Sequence, residues 1–183
     1  MDDWHKAYPK ARLIGPEDIG PKREKSNTPL PWTNLFKKND ESSLKIDEDF
    51  DREFDAEFVH AHANKELVFH HRPSRTLIEA DLLFNLPATE QMSKTGEDAQ
   101  SGFLTKLFCG INHTKGTAIW QKRFLWYAVS SSDRTAFNQS VSRIDAWNFD
   151  RIIPCHGDVI ESGGKGIFQK VFEWHLEAAK KQS

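Results

Sequence analysis

The sequence predicts an α/β chain of the layered α+β type. Three observations lead there. Two strand-like runs, Glu66–His70 and Thr76–Ala80, flank the turn Pro73-Ser74-Arg75, which is hairpin patterning. Phe137, Val141, Ile144 and Trp147 then recur at helical spacing. A short apolar run, Arg151–Cys155, separates that helix from a last amphipathic one. The 183 residues fit one domain, read here as 1–183, and the 13 Phe and 6 Trp require a shared interior.

In chain order, Ala11, Leu13 and Ile14 predict a short strand within Tyr8–Pro16. Residues 17–34 carry Gly20, Pro21, Pro29 and Pro31 and read as loop. The charged stretch Lys37–Glu57 reads as a solvated connection, tied down by Leu44, Ile46, Phe50 and Phe54. Phe58–Ala61 predicts the strand before the hairpin, and Leu82-Leu83-Phe84 extends the apolar run of the hairpin's second arm. Residues 87–101 read as loop, 102–110 as a helix and 120–129 as an aromatic helix, with a strand as the alternative. Ser131-Ser132-Asp133 offers an N-cap to the helix that follows. Gly163-Gly164 opens the last helix, with Ile167, Val171, Trp174 or His175, and Ala178 facing inward.

Composition excludes several classes. Net charge is −2, from 25 basic and 27 acidic residues, with no basic stripe, so nucleic acid is not an expected partner. No run approaches the roughly 18 apolar residues of a membrane span, and no membrane partner is expected. The N-terminus lacks the apolar core of a secretory signal. Two cysteines, Cys109 and Cys155, make no disulfide framework, and a reducing, cytoplasmic compartment fits.

Three places carry chemistry. Asp81 ends an apolar strand, where a carboxylate needs a cation or donors; the plain alternative is a cap on the next turn. His156 is delivered by the apolar strand Ile152–Cys155, and Gly157 lets another backbone or a ligand approach. Asp158 is placed to orient it. His60 and His62 share a face if their segment is extended, and two such imidazoles chelate zinc. Cys155 reads as a small core residue and the 120–127 aromatics as core. Gly163–Gly166 lacks the spacing of a phosphate-binding loop and gives only a weak anion signal.

The hairpin with Asp81, the long helix and Ile153-Pro-Cys-His156-Gly157 together resemble the second half of the metallo-β-lactamase fold. Tyr8–Pro16, His60–Glu66 and Phe149–Asp158 are similar to a branch of that superfamily common in fungi. The resemblance runs from about Trp4 to Ala179. It implies an αββα sandwich, partial here and missing its N-terminal strands, so that the chain matches the C-terminal two-thirds of the fold. It also implies ligand positions: Asp81 as the aspartate bridging two metals, His156 as the last histidine, and His62, or else His60, as the middle histidine.

The superfamily signature HxHxDH occurs nowhere in the chain. The implied zinc (or iron or manganese) therefore has an incomplete ligand set, since a catalytic zinc normally takes three protein ligands and an open position. The expected function is that of a metal-dependent hydrolase relative that is catalytically impaired as written. The alternatives are a fragment of a full-length metallohydrolase, or a non-catalytic module that binds itself or another protein through an uncovered sheet edge.

Overall fold

The computed structural model describes residues 1–38 and 46–182. Leu44, one of the residues expected to tie down the charged connection, lies outside the described residues. The chain opens with α1 (Asp2–Ala7), β1 (Leu13–Pro16), α2 (Ile19–Lys25) and β2 (Trp32–Phe36). β1 and β2 pair in parallel, so two of these elements fall where loop was expected. Pro21 lies in the first turn of α2, where its missing N–H removes no helical bond, and the helix survives the prolines around it.

Asp47 then caps α3 (Glu48–Glu53), its carboxylate accepting from Phe50 N–H, within the stretch read as a connection. α3 leads into β3 (Phe54–Val59), which starts four residues earlier than its apolar run suggests. β4 (Glu66–His71) and β5 (Thr76–Glu79) form the expected antiparallel hairpin. After β5 the chain turns rather than extending through Leu82–Phe84, and a short helix, α4 (Thr89–Met92), interrupts the expected loop.

α5 (Phe103–Ile111) and α6 (Ile119–Phe124) follow, α6 running on into a π-helical turn, Leu125–Val129. Of the three capping candidates it is Asp133 that caps α7 (Arg134–Asp145), accepting from Ala136 N–H. β6 (Arg151–Pro154) pairs in parallel with β5. The last expected helix is two, α8 (Gly164–Val171) and α9 (Glu173–Lys180), broken at Phe172.

The four-stranded sheet has the order β3–β4–β5–β6. Its two faces are sorted by the period of two along β4, where Glu66, Val68 and His70 are buried and Leu67, Phe69 and His71 are half-buried. The first face meets α7, α8 and α9, with Phe137, Val141, Ile144, Phe168 and Phe172 in one core with Val68 and Leu77. The second face meets the β1–β2 sheet through a smaller cluster of Phe36, Ile46 and Phe58. Mixed α/β layering is thus observed. A bidentate pair fastens α7 to β3: Arg143 donates Nε to Glu57 Oε2 at 2.9 Å and Nη2 to Oε1 at 2.5 Å. No helix among the described residues is long and apolar enough to cross a membrane.

His175, on α9, is 1% exposed and packs against the rings of Phe137 and Trp126. Its Nε2 lies 3.1 Å from Ser130 Oγ, whose proton goes to the Trp126 carbonyl, so the neutral ring donates. Burial, helped by the Arg134 charge, pushes its pKa down to about 3. An unfolded histidine takes up its proton near pH 6.5, whereas the folded one resists until about 3, so stability falls as pH drops through that window. His175→Phe is expected to make the unfolding free energy less steep in pH by about 1 kcal/mol per unit between pH 6 and 4. Urea titrations across that range would measure it, and an unchanged slope would show that the ring does not resist protonation.

Candidate functional site

Parallel pairing of β5 and β6 sets Glu79 opposite Pro154. Two residues beyond these partners come Asp81 and His156, and the shared register brings them together. His156 Nε2 lies 3.3 Å from Asp81 Oδ1. The other carboxylate oxygen, Oδ2, accepts from Asn64 Nδ2 at 2.6 Å. The imidazole stacks on Phe84, with centroids 6.1 Å apart and planes 14° apart. These side chains, with Leu86, Phe108 and Cys109, line a cleft of about 390 Å³, polar at one end and apolar along its walls.

The turn carrying Asp81 is held from below. Glu66 accepts from Ala80 N–H at 2.6 Å and from Asp81 N–H at 2.8 Å, one bond per carboxylate oxygen. Glu79 accepts from Leu82 and Leu83 N–H through the same oxygen, Oε2, leaving Oε1 buried without a partner. Four successive amides are thereby satisfied by two buried carboxyl groups. Burial pushes Glu66 up to about 7, against the pull of its two N–H donors. Burial, then the neighbouring Glu66, pushes Glu79 well above the usual carboxylate range. The cap on this turn is therefore Glu79 with Glu66, and the Asp81 carboxylate is left to face the cleft.

His62 reaches the same neighbourhood by a different atom. Its Nε2 donates to the Asp81 carbonyl oxygen at 3.1 Å, and its Nδ1 accepts from Asn64 N–H at 3.1 Å. Both ring nitrogens are thus engaged by backbone, and burial pushes the pKa of the ring down. Residues 60–64 form a turn rather than an extended run, so His60 and His62 do not share a face. His60 sits against Phe58 instead, with centroids 6.2 Å apart, among groups that include Lys38 and Asp133. Burial pushes its pKa down as well.

The loop bearing His156 is stitched to its surroundings. Gly157, at a φ of +126°, lets the Asn85 backbone in so closely that a Cβ would sit 2.5 Å from its carbonyl oxygen. Here the expectation of close backbone approach is met. Asp158 does not orient His156. It caps α4, accepting from Glu90 N–H at 2.8 Å and from the Thr89 hydroxyl. Glu90 in turn accepts from Val159 N–H, and Gln91 donates to the Cys155 carbonyl at 2.7 Å. Cys155 itself lies past the last strand residue and is exposed, not a core thiol. The N-terminus of α8 is no anion cradle either, because Asp150 accepts from both Gly163 and Gly164 N–H.

Among the described residues no group of three or more His, Cys, Asp or Glu could hold a metal ion. The donor chemistry gives the reason. Asp81 and His156 offer two ligands, and the third candidate has both nitrogens committed to backbone. The residues present do not fit a catalytic zinc, which normally takes three protein ligands and an open position.

Asn64, Glu66, Glu79 and the α4 clasp escaped sequence reasoning. One signal existed for Glu66: it falls in register with the inward positions Val68 and His70, where an acid is out of place unless it serves donors.

No protein-family model matches the chain. No curated protein matches it either. Among solved structures it is similar to the DIM-1 metallo-beta-lactamase exposed to ceftazidime, at 13% identity and a TM-score of 0.46 over 96% of this chain and 61% of that one. A second structure of the DIM-1 metallo-beta-lactamase is similar at 13% identity and a TM-score of 0.44, covering 99% of this chain and 63% of that one. The chain spans about three fifths of the length of the proteins in these structures.

The two glutamates should respond differently to amidation. Glu66→Gln turns an NH₂ group toward a backbone N–H and is expected to destabilise by about 1–3 kcal/mol. Glu79→Gln keeps a single oxygen for both of its donors and is expected to cost less than about 1 kcal/mol. Chemical denaturation of both variants checks this, and equal losses would refute the one-oxygen-per-donor account of Glu66.

Proposed function

We propose that this chain is a metallo-β-lactamase-like relative of metal-dependent hydrolases, catalytically impaired as written, in which Asp81 and His156 persist in contact at the polar end of a small-molecule cleft. The observation that carries the reading is the 3.3 Å approach of His156 to Asp81 at the ends of two parallel strands. Side chains so far apart in sequence, meeting at a cleft beyond strand ends, mark a built site. The impairment is supported by His62, whose nitrogens serve backbone groups, and by Asn64, which occupies the second Asp81 oxygen. A ligand with an apolar body and one polar end matches the lining, with Phe84 and Phe108 along the walls.

A second reading, self-association, is favoured by one feature. β3 is the outer strand of the larger sheet, and among the described residues no strand pairs with its far side. A strict monomer by light scattering at high concentration would count against it.

The main reading is tested by elemental analysis of protein purified without chelator, then loaded with zinc and desalted. The expected content is below about a tenth of an equivalent, unchanged by Asp81→Ala, because two ligands hold zinc too weakly to survive desalting. A full equivalent of zinc that disappears in Asp81→Ala and in His156→Ala would overturn it.

A further inference from the structure

α5 breaks the rule that apolar helices are buried. Phe103 is 81% exposed, Leu104 76% and Leu107 52%, while Cys109 alone on this helix is buried. Trp120, on the neighbouring α6, is 54% exposed. The helices meet through Phe108 and Phe124, and Trp120 is one turn before Phe124 on the same stripe of α6. The exposed side chains of α5 thus lie on a helix that helps line the cleft, with Trp120 on the helix packed beside it.

Along the stretch of chain that carries these side chains the charges are all basic. Residues 99–132 contain no Asp or Glu, in a chain with 27. They carry Lys106, Lys115, Lys122 and Arg123. Lys122 is spent on Glu173 at 2.5 Å, leaving three exposed cations. The Arg123 guanidinium lies over the Trp120 ring, 4.9 Å from its centroid. Glu97 and Asp98 precede the run on the loop before α5.

Exposed Phe, Leu and Trp with Lys and Arg at the rim form the composition of an interfacial anchor. We infer that the α5 face, with Trp120, docks reversibly on an anionic lipid surface, the apolar side chains entering the acyl boundary and Lys106, Lys115 and Arg123 meeting lipid phosphates. A second copy of the chain is a poorer occupant, since a self-complementary pairing of this face would offer its basic rim only the same basic stretch, 99–132, which holds no acid. The expectation of no membrane partner rested on the want of a spanning segment, and surface docking needs none.

The test is co-sedimentation of the full chain with phosphatidylcholine vesicles containing roughly 30% phosphatidylserine, and with phosphatidylcholine alone. Binding is expected to the anionic vesicles and to be at least several-fold weaker to the neutral ones. It should weaken again from roughly 0.1 M to 1 M salt, as the screening length falls from about 10 Å to about 3 Å. Leu104→Glu with Leu107→Glu is expected to lower the bound fraction about tenfold, and Lys106→Glu to weaken anionic binding alone. Both variants change exposed positions, and their unfolding midpoints should match the parent. No binding to either vesicle overturns the inference, as does equal binding by the Leu104→Glu, Leu107→Glu variant. It is also overturned by a dimer that this variant splits, which would make a second copy the occupant.

Discussion

Two carboxyl groups hidden under the end of β5 are the constraint on which the rest of the site depends. Glu66 comes from one strand and Glu79 from the next, and between them they take the N–H groups of residues 80 to 83. Those amides leave the sheet where the chain turns, and Leu82 and Leu83 among them are fully buried. Without the two acids the buried donors among them would be stranded, each at a cost of about 1–3 kcal/mol. With them, the turn is fixed, Asp81 points to the cleft and Asn64 and His62 have something rigid to grip. The acids are themselves expensive to bury, which is why the surroundings favour their protonated forms.

Legibility in the sequence followed the range of the interactions. The hairpin, α7 and a cap within Ser131–Asp133 are readable because alternation, helical spacing and capping are local patterns. The approach of Asp81 and His156 was placed by the family resemblance, and parallel pairing of β5 with β6 supplies its geometry. His60 and His62 share a face only on extended backbone, and the chain turns there, which spacing alone does not reveal. β2, α2 and α3 were hidden by prolines and charge, which mark loops only when no tertiary partner overrules them. Phe36 on Phe58 is that partner here. Cys155 was misplaced by one step, since burial stops at Pro154.

The resemblance to a metal-dependent fold and the donor set pull in different directions. His62 stands where the resemblance puts a ligand, yet it ties the 60–64 turn to the Asp81 carbonyl. An imidazole that donates from one nitrogen and accepts at the other has no lone pair left to offer a cation. It serves this chain as a brace between two turns. The α4 segment does the corresponding work on the His156 side, where Asp158 accepts from Glu90 N–H and Glu90 accepts from Val159 N–H across the loop.

That clasp has a kinetic meaning. Asn85 and Asp158, which lock the two halves of the cleft together, are 73 positions apart in the chain. The hairpin of β4 and β5 needs only a short loop to close, so its contacts are gained early, whereas the Asp81–His156 encounter waits until a long intervening segment has collapsed onto the sheet. During synthesis the cleft therefore comes into being only after β6 and the residues just beyond it have left the ribosome, and until then the flank of β5 that β6 will cover stays open to other strands.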